Sequence, residues 1–186
     1  MDWSPDMTPR SPLWQTSAHL HGPAPREWLF EDDGSLTQRL TQLSEGRFEV
    51  EVVAEGWQPL RADECKALDA PPETLGWVRE VFLLGTQTRW VFARSVATRE
   101  ALEASGFELA QLGQRPLGAL LFSDNAFNRG PLEATRYPAG WLPQEEVQDQ
   151  KPLWARRSVF RRDGLGVLVA EVFLPAFWQF LKDQRL

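Results

Sequence analysis

Two charged residues stand inside stretches that are otherwise apolar, and both are candidates for chemistry. In WVREVFLL, Trp77 to Leu84, a period of two places Arg79, Val81 and Leu83 on one face and Val78, Glu80, Phe82 and Leu84 on the other. Both faces are largely apolar, so the stretch reads as a central strand. A guanidinium keeps its charge and is costly to bury, so Arg79 needs an anionic partner or a route to water. LVAEVFLP, Leu168 to Pro175, poses the same problem with opposite sign, because Glu171 shares a face with Val169 and Phe173. Two readings follow. Arg79 and Glu171 form a structural ion pair, or one of them reaches solvent; alternatively they border a dry pocket for a small anionic ligand, with Arg79 as its anchor.

The elements that must position these residues come from one chain of 186 residues, enough for a single domain with a sizeable core. Twenty basic against twenty-six acidic residues give a net charge of −6, which excludes a global basic field for nucleic acid or acidic lipid. The single Cys65 excludes an intrachain disulfide, fits a reducing compartment and, lying among charged residues, reads as a free surface thiol. The start MDWSPDMTPR is no secretory signal, and no run approaches a membrane span, so a cytoplasmic location is expected.

Residues 1–24, rich in proline, read as a poorly ordered leader that Trp3 and Trp14 can pin to the body, followed by one domain over 25–186. His19 and His21 lack carboxylate or cysteine neighbours at metal-ligand spacing and read as solvated, so no metal site is expected. Pro25 starts a short helix through REWLFE. Ser35 caps a second, with Gln38 completing a capping box and Leu36, Leu40 and Leu43 on one face; Leu36 then has an unbonded amide in the first turn. Phe48 to Trp57 alternates as a half-exposed strand, and a polar connection, Gln58 to Pro72, leads to the Arg79 strand.

Gly85 to Thr88 reads as a tight turn into an antiparallel partner, Arg89 to Val96. There Arg94 shares a face with Trp90, Phe92 and Val96, as a second inward cation with a supporting role in a salt bridge. Thr98 caps a helix through Leu102, Leu109 to Leu112 reads as helical, and Pro116 takes the first position of another helix, leaving Leu117 a free amide. Residues 138–152 read as a surface loop. Leu153 to Phe160 turns at Asp163-Gly164 into Leu165 to Leu174, and Arg156, Arg157, Arg161 and Arg162 read as solvated edge residues.

In this arrangement WVREVFLL, LGQRPLGALLF (Leu112 to Phe122), LWARRSVF (Leu153 to Phe160) and VAEVFLPA (Val169 to Ala176) resemble the chorismate–pyruvate lyases of ubiquinone biosynthesis, with weaker similarity at WLFEDDGSLTQRL (Trp28 to Leu40). The resemblance implies an α+β fold: a single domain with a mostly antiparallel sheet of about six strands and helices around a buried pocket. It implies elimination of pyruvate from chorismate to give 4-hydroxybenzoate, with no redox or metal cofactor, by a monomer. It places ligand contacts on Arg79, Glu171 and the backbone of Leu36 and Leu117, with Arg79 gripping the ring carboxylate. Glu171 is then either protonated and donating to the departing oxygen or ionised and accepting from the product. Against the family pattern, residues 138–152 look inserted and Arg115 replaces a small polar residue. The rival reading is a non-catalytic sensing domain of the same architecture. That class normally follows a DNA-binding winged helix, for which residues 1–24 are too short and proline-rich.

Overall fold

Strands of alternating polarity cannot bury one face alone, and here they join into a single antiparallel sheet closed on each side by other elements. The computed structural model describes residues 11–32, 34–108, 112–123, 127–143 and 151–185. Its strands are β1 (Gln15–Thr16), β2 (Phe48–Pro59), β3 (Leu75–Gly85), β4 (Thr88–Thr98), β5 (Asn128–Arg129), β6 (Glu133–Tyr137), β7 (Leu153–Arg162) and β8 (Leu165–Phe173). They make an eight-stranded sheet in the order β1-β6-β7-β8-β4-β3-β2, with β5 also paired to β7, so the expected count of about six is too low. The extra strands β1, β5 and β6 are two to five residues long, too short to show a period.

Two hairpins set the register. At the β3–β4 turn Thr86 and Gln87 both take positive φ (50° and 65°), and at the β7–β8 turn so do Asp163 (47°) and Gly164 (85°). Such turns match the right-handed twist of the strands they join. Near the first turn, Leu83 pairs with Val91 but Leu84 with Arg89, a bulge that leaves Trp90 as the extra residue. Trp90 therefore packs with Leu83 and Val91 against Phe177, and not on the Phe92 face where alternation puts it. A Cβ at Gly85 would overlap the Trp90 ring. Gly85→Ala is expected to destabilise the domain by about 1–3 kcal/mol, read as a lower Tm in thermal unfolding.

Five helices lie with the Arg79 face of the sheet or at its rim: α1 (Arg26–Leu29), α2 (Leu36–Leu43), α4 (Arg99–Ser105), α5 (Leu117–Leu121) and α6 (Pro175–Asp183). Their caps explain their starts. Ser35 Oγ accepts from the Gln38 amide at 3.3 Å and Thr98 Oγ1 from the Ala101 amide at 3.3 Å. Pro175, which ends β8, is also the first residue of α6, whose Phe177 is fully buried. Pro116 is the residue before α5, in extended conformation, so Leu117 and not Pro116 opens that helix.

The opposite face is covered by α3 (Ala62–Ala67), inside the stretch read as a plain polar connection, and by a 3-10 turn, Ala139–Trp141. Cys65 on α3 is buried among Leu60, Val78, Val96 and Leu168, not at the surface, because its charged neighbours Asp63 and Glu64 also turn inward to meet arginines. Residues 11–24 of the proline-rich leader are tied down: β1 pairs with β6, Thr135 Oγ1 donates to the Leu13 carbonyl at 2.7 Å, and Trp14 Nε1 donates to Asp63 at 2.9 Å. Trp3, residues 144–150 of the expected loop and most of the expected helix Leu109 to Leu112 lie outside the described residues. Leu142, within that loop, folds back and is buried. Among the described residues no helix is long and apolar enough to cross a membrane.

Candidate active site

Register decides which side chains meet. Arg79 pairs with Ser95, and Ser95 with Val169; Val81 pairs with Ala93, and Ala93 with Glu171. Arg79 and Glu171 therefore share one face across β3, β4 and β8, separated by two strand spacings and two residues. That offset puts their Cα atoms roughly 12 Å apart, from ~4.8 Å per strand and ~3.4 Å per residue. From that separation the two side chains reach inward to the same space.

Both border one small cavity of about 40 Å³ with Val81, Leu83, Phe160 and Val169 as apolar walls and Leu117 and Gly118 of α5 above. An apolar cavity that binds benzene measures about 150 Å³, so this space is contracted below the size of a ring. A far larger concavity, about 620 Å³, is an open groove around Trp154 and Trp178 that includes neither Arg79 nor Glu171. Two inward ionisable groups beside apolar walls single out the smaller space.

The two charges are not each other's partners. Arg79, 2% exposed, pairs with Glu55, its cross-strand neighbour on β2. Its Nη2 also donates to the carbonyls of Gly113 at 2.8 Å and Arg115 at 3.1 Å, in the segment that leads into α5. Glu171 Oε2 accepts from Arg156 Nε at 2.7 Å, and Arg156 is 1% exposed. The structural pair proposed for Arg79 with Glu171 is thus replaced by two separate pairs, each fixing one end of the cavity.

Arg156 is the site residue that sequence reading missed. It and Arg157 were expected as solvated edge residues, but β7 lies between β6 and β8 and both arginines are buried. The signal was available, since counting outward from a two-residue turn at Asp163-Gly164 sets Arg156 opposite Glu171. Arg94 lies on the other face of the sheet, paired with Glu64 at 2.5 Å and Glu80 at 3.0 Å, so it supports the strands and does not border the cavity.

The cavity roof is the junction of α2 and α5. Leu117 borders the cavity directly; Leu36 is buried beside it in the core, and the next residue, Thr37, is the one in the cavity wall. Leu36 and Leu117 are each the first residue of a helix, so neither amide has a partner within its own helix. A Cβ at Gly118 would stand 3.1 Å from Thr37 Oγ1, a tight contact, so a bulkier side chain there presses directly on α2. Gly118→Val is expected to wedge the two helices apart and weaken binding of an enclosed aromatic acid about tenfold, as titration calorimetry would show.

A narrow slot with apolar walls thus has an arginine at one end and a glutamate at the other, beneath the starts of two helices. The chain belongs to the chorismate lyase family, whose profile matches residues 8–182. It is 59% identical over 172 residues to the Pseudomonas aeruginosa (strain UCBPP-PA14) protein named "Probable chorismate pyruvate-lyase", covering 91% of this chain and 95% of that one. A Pseudomonas syringae pv. syringae relative of the same name is 52% identical over 186 residues, covering 96% and 98%. In fold alone the chain resembles the ligand-binding domain described for a GntR-family transcriptional regulator from Bordetella bronchiseptica (TM-score 0.50, 16% identity, 70% and 84% covered). It likewise resembles the effector domain of PhnF from Mycobacterium smegmatis (TM-score 0.50, 12% identity, 77% and 90% covered). The protein is accordingly a lyase.

Proposed function

We propose that this lyase removes pyruvate from chorismate and releases 4-hydroxybenzoate, as a cytoplasmic monomer supplying the first committed step toward ubiquinone. The observation that carries the reading is the placement of Arg79 and Glu171 at the two ends of one narrow slot with apolar walls, in a chain of the chorismate lyase family. In the reaction a proton leaves the ring carbon next to the one that loses the enolpyruvyl oxygen. The ring becomes aromatic, and the enolpyruvyl methylene gains a proton to give pyruvate. Aromatisation supplies the driving force, so positioning and electrostatics are what the protein contributes.

Arg79 takes the ring carboxylate, and Glu171 faces the oxygen-bearing end of the ring. The backbone amides at Leu36 and Leu117 add uncharged donors to bound anionic oxygen. A space of about 40 Å³ does not hold a ring, so α2 and α5 must part to admit substrate and again to release product. Slow loss of 4-hydroxybenzoate follows from that closure.

Purified, metal-stripped protein mixed with chorismate is expected to yield 4-hydroxybenzoate and pyruvate in equal amounts, with the yield lost in Arg79→Ala. Untouched chorismate together with bound 4-hydroxybenzoate would leave the pocket standing and make the domain a sensor.

A further inference from the structure

We propose that Arg156 is a positioning residue that holds Glu171 as an anionic hydrogen-bond acceptor, so that Glu171 receives the ring hydroxyl and does not protonate the departing oxygen. The inference rests on the lyase reading above and decides between the two roles open to Glu171.

Arg156 and Glu171 sit directly opposite one another on β7 and β8, on the cavity side of the sheet. Arg156 has no way to discharge itself, and its environment gives it one carboxylate and two neutral acceptors. Nε donates to Glu171 Oε2 at 2.7 Å, while Nη1 donates to the carbonyls of Trp28 at 3.2 Å and Asp32 at 3.0 Å. A protonated Glu171 would leave a buried guanidinium with no counter-charge, an arrangement far more costly than the ionised pair. The other charges nearby do not change the sign. Arg79 is paired with Glu55, Asp32 lies 3.7 Å from Arg39, and Arg129 is bonded to Ser158 on the same face. None of these sets a second uncompensated carboxylate beside Glu171 among the described residues.

The three contacts also fix where the carboxylate points. Oε2 is committed to Arg156, and Oε1 has no protein donor among the described residues while Glu171 borders the cavity. An anionic oxygen turned toward an apolar slot accepts from whatever donor the ligand brings, and repels a carboxylate. The ring is therefore read by polarity at both ends: carboxylate at Arg79, hydroxyl at Glu171. A benzoate without the hydroxyl leaves Oε1 buried and unpaired, which costs more than the missing contact alone.

The test compares binding of 4-hydroxybenzoate and benzoate, by titration calorimetry, to the wild type and to Arg156→Lys, Arg156→Met and Glu171→Gln. The wild type is expected to prefer 4-hydroxybenzoate by about 10²-fold. That preference should collapse toward unity in Arg156→Met and Glu171→Gln and return in part in Arg156→Lys. If Arg156→Met does not fold, the lysine and glutamine variants carry the comparison. Equal weakening of both ligands with the preference intact would reduce Arg156 to a packing role and overturn the inference. So would a difference infrared spectrum, wild type minus Glu171→Gln, that shows a protonated carboxyl. A wild type that turned over no chorismate yet kept the hydroxyl preference would sink the lyase reading and leave the Arg156 inference standing.

Discussion

Arg79→Lys is expected to lower kcat/KM for chorismate by about 10²- to 10³-fold, although the charge is kept. The reason lies in how the guanidinium is used. A two-pronged grip on a carboxylate needs adjacent donors, either Nε with Nη2 or Nη1 with Nη2, and Nη2 belongs to both forks. In the closed structure Nη2 serves the Gly113 and Arg115 carbonyls and Nη1 serves Glu55. A ring carboxylate must displace at least one of those carbonyls, and both precede α5, the helix over the cavity. Substrate capture and movement of the roof thus draw on the same hydrogen bonds. A lysine ammonium offers neither fork, so it loses the directional grip and the link to α5 together. Steady-state kinetics with a parallel 4-hydroxybenzoate titration should show turnover and binding falling together in Arg79→Lys and further in Arg79→Ala. Glu171→Ala should instead lower kcat more than it weakens binding. Lysine activity within tenfold of wild type would mean that Arg79 acts only as a point charge.

The charged ends of the cavity were legible because the sheet's period is two and each lies in a stretch where every other signal is apolar. The same rule failed wherever a neighbouring element was too short to show itself. β6 is a five-residue strand without a clean alternation, and with it unread β7 became an edge. Arg156 and Arg157 were then assigned to water, when β6 and α3 in fact cover them. α3 was hidden for a related reason. Its sequence ADECKA has only one strongly apolar position, Cys65, and its inward face is otherwise made by Asp63 and Glu64, which composition assigns to the surface. Trp90 moved from one face to the other because a single bulge shifts the alternation, and no residue type announces a bulge. In each case a tertiary contact between charges, or one extra residue, outweighed local pattern.

Those inward charges give the largest stability effect expected in the molecule. Glu64 bonds Arg94 Nε at 2.5 Å and Nη2 at 3.1 Å, and it also accepts from the Arg61 amide at the start of α3, at 2.9 Å. Burial alone would lower the pKa of Arg94, but Glu64 and then Glu80 outweigh it and raise it. At Arg157 burial wins over Glu133 and Asp63, and the pKa falls. Arg94 is the well-compensated cation, and Glu64 provides most of that compensation. Glu64→Ala strands a guanidinium that is 4% exposed, with only Glu80 left. The cost is expected at about 3–5 kcal/mol, or a Tm fall of about 10 °C. Replacing Arg94 and Glu64 together by methionine should recover most of that, because what destabilises is the unpaired charge and Glu80, 17% exposed, can turn to water. Arg94 lies between Ala93 and Ser95, which border the cavity, and Glu80 follows Arg79. The back-face network thus fastens the strands that present the site without touching it. Well below its Tm, Glu64→Ala should keep a KM for chorismate near the wild-type value. A Tm loss of less than about 3 °C, which corresponds to roughly 1 kcal/mol, would mean that Glu80 alone suffices to hold Arg94.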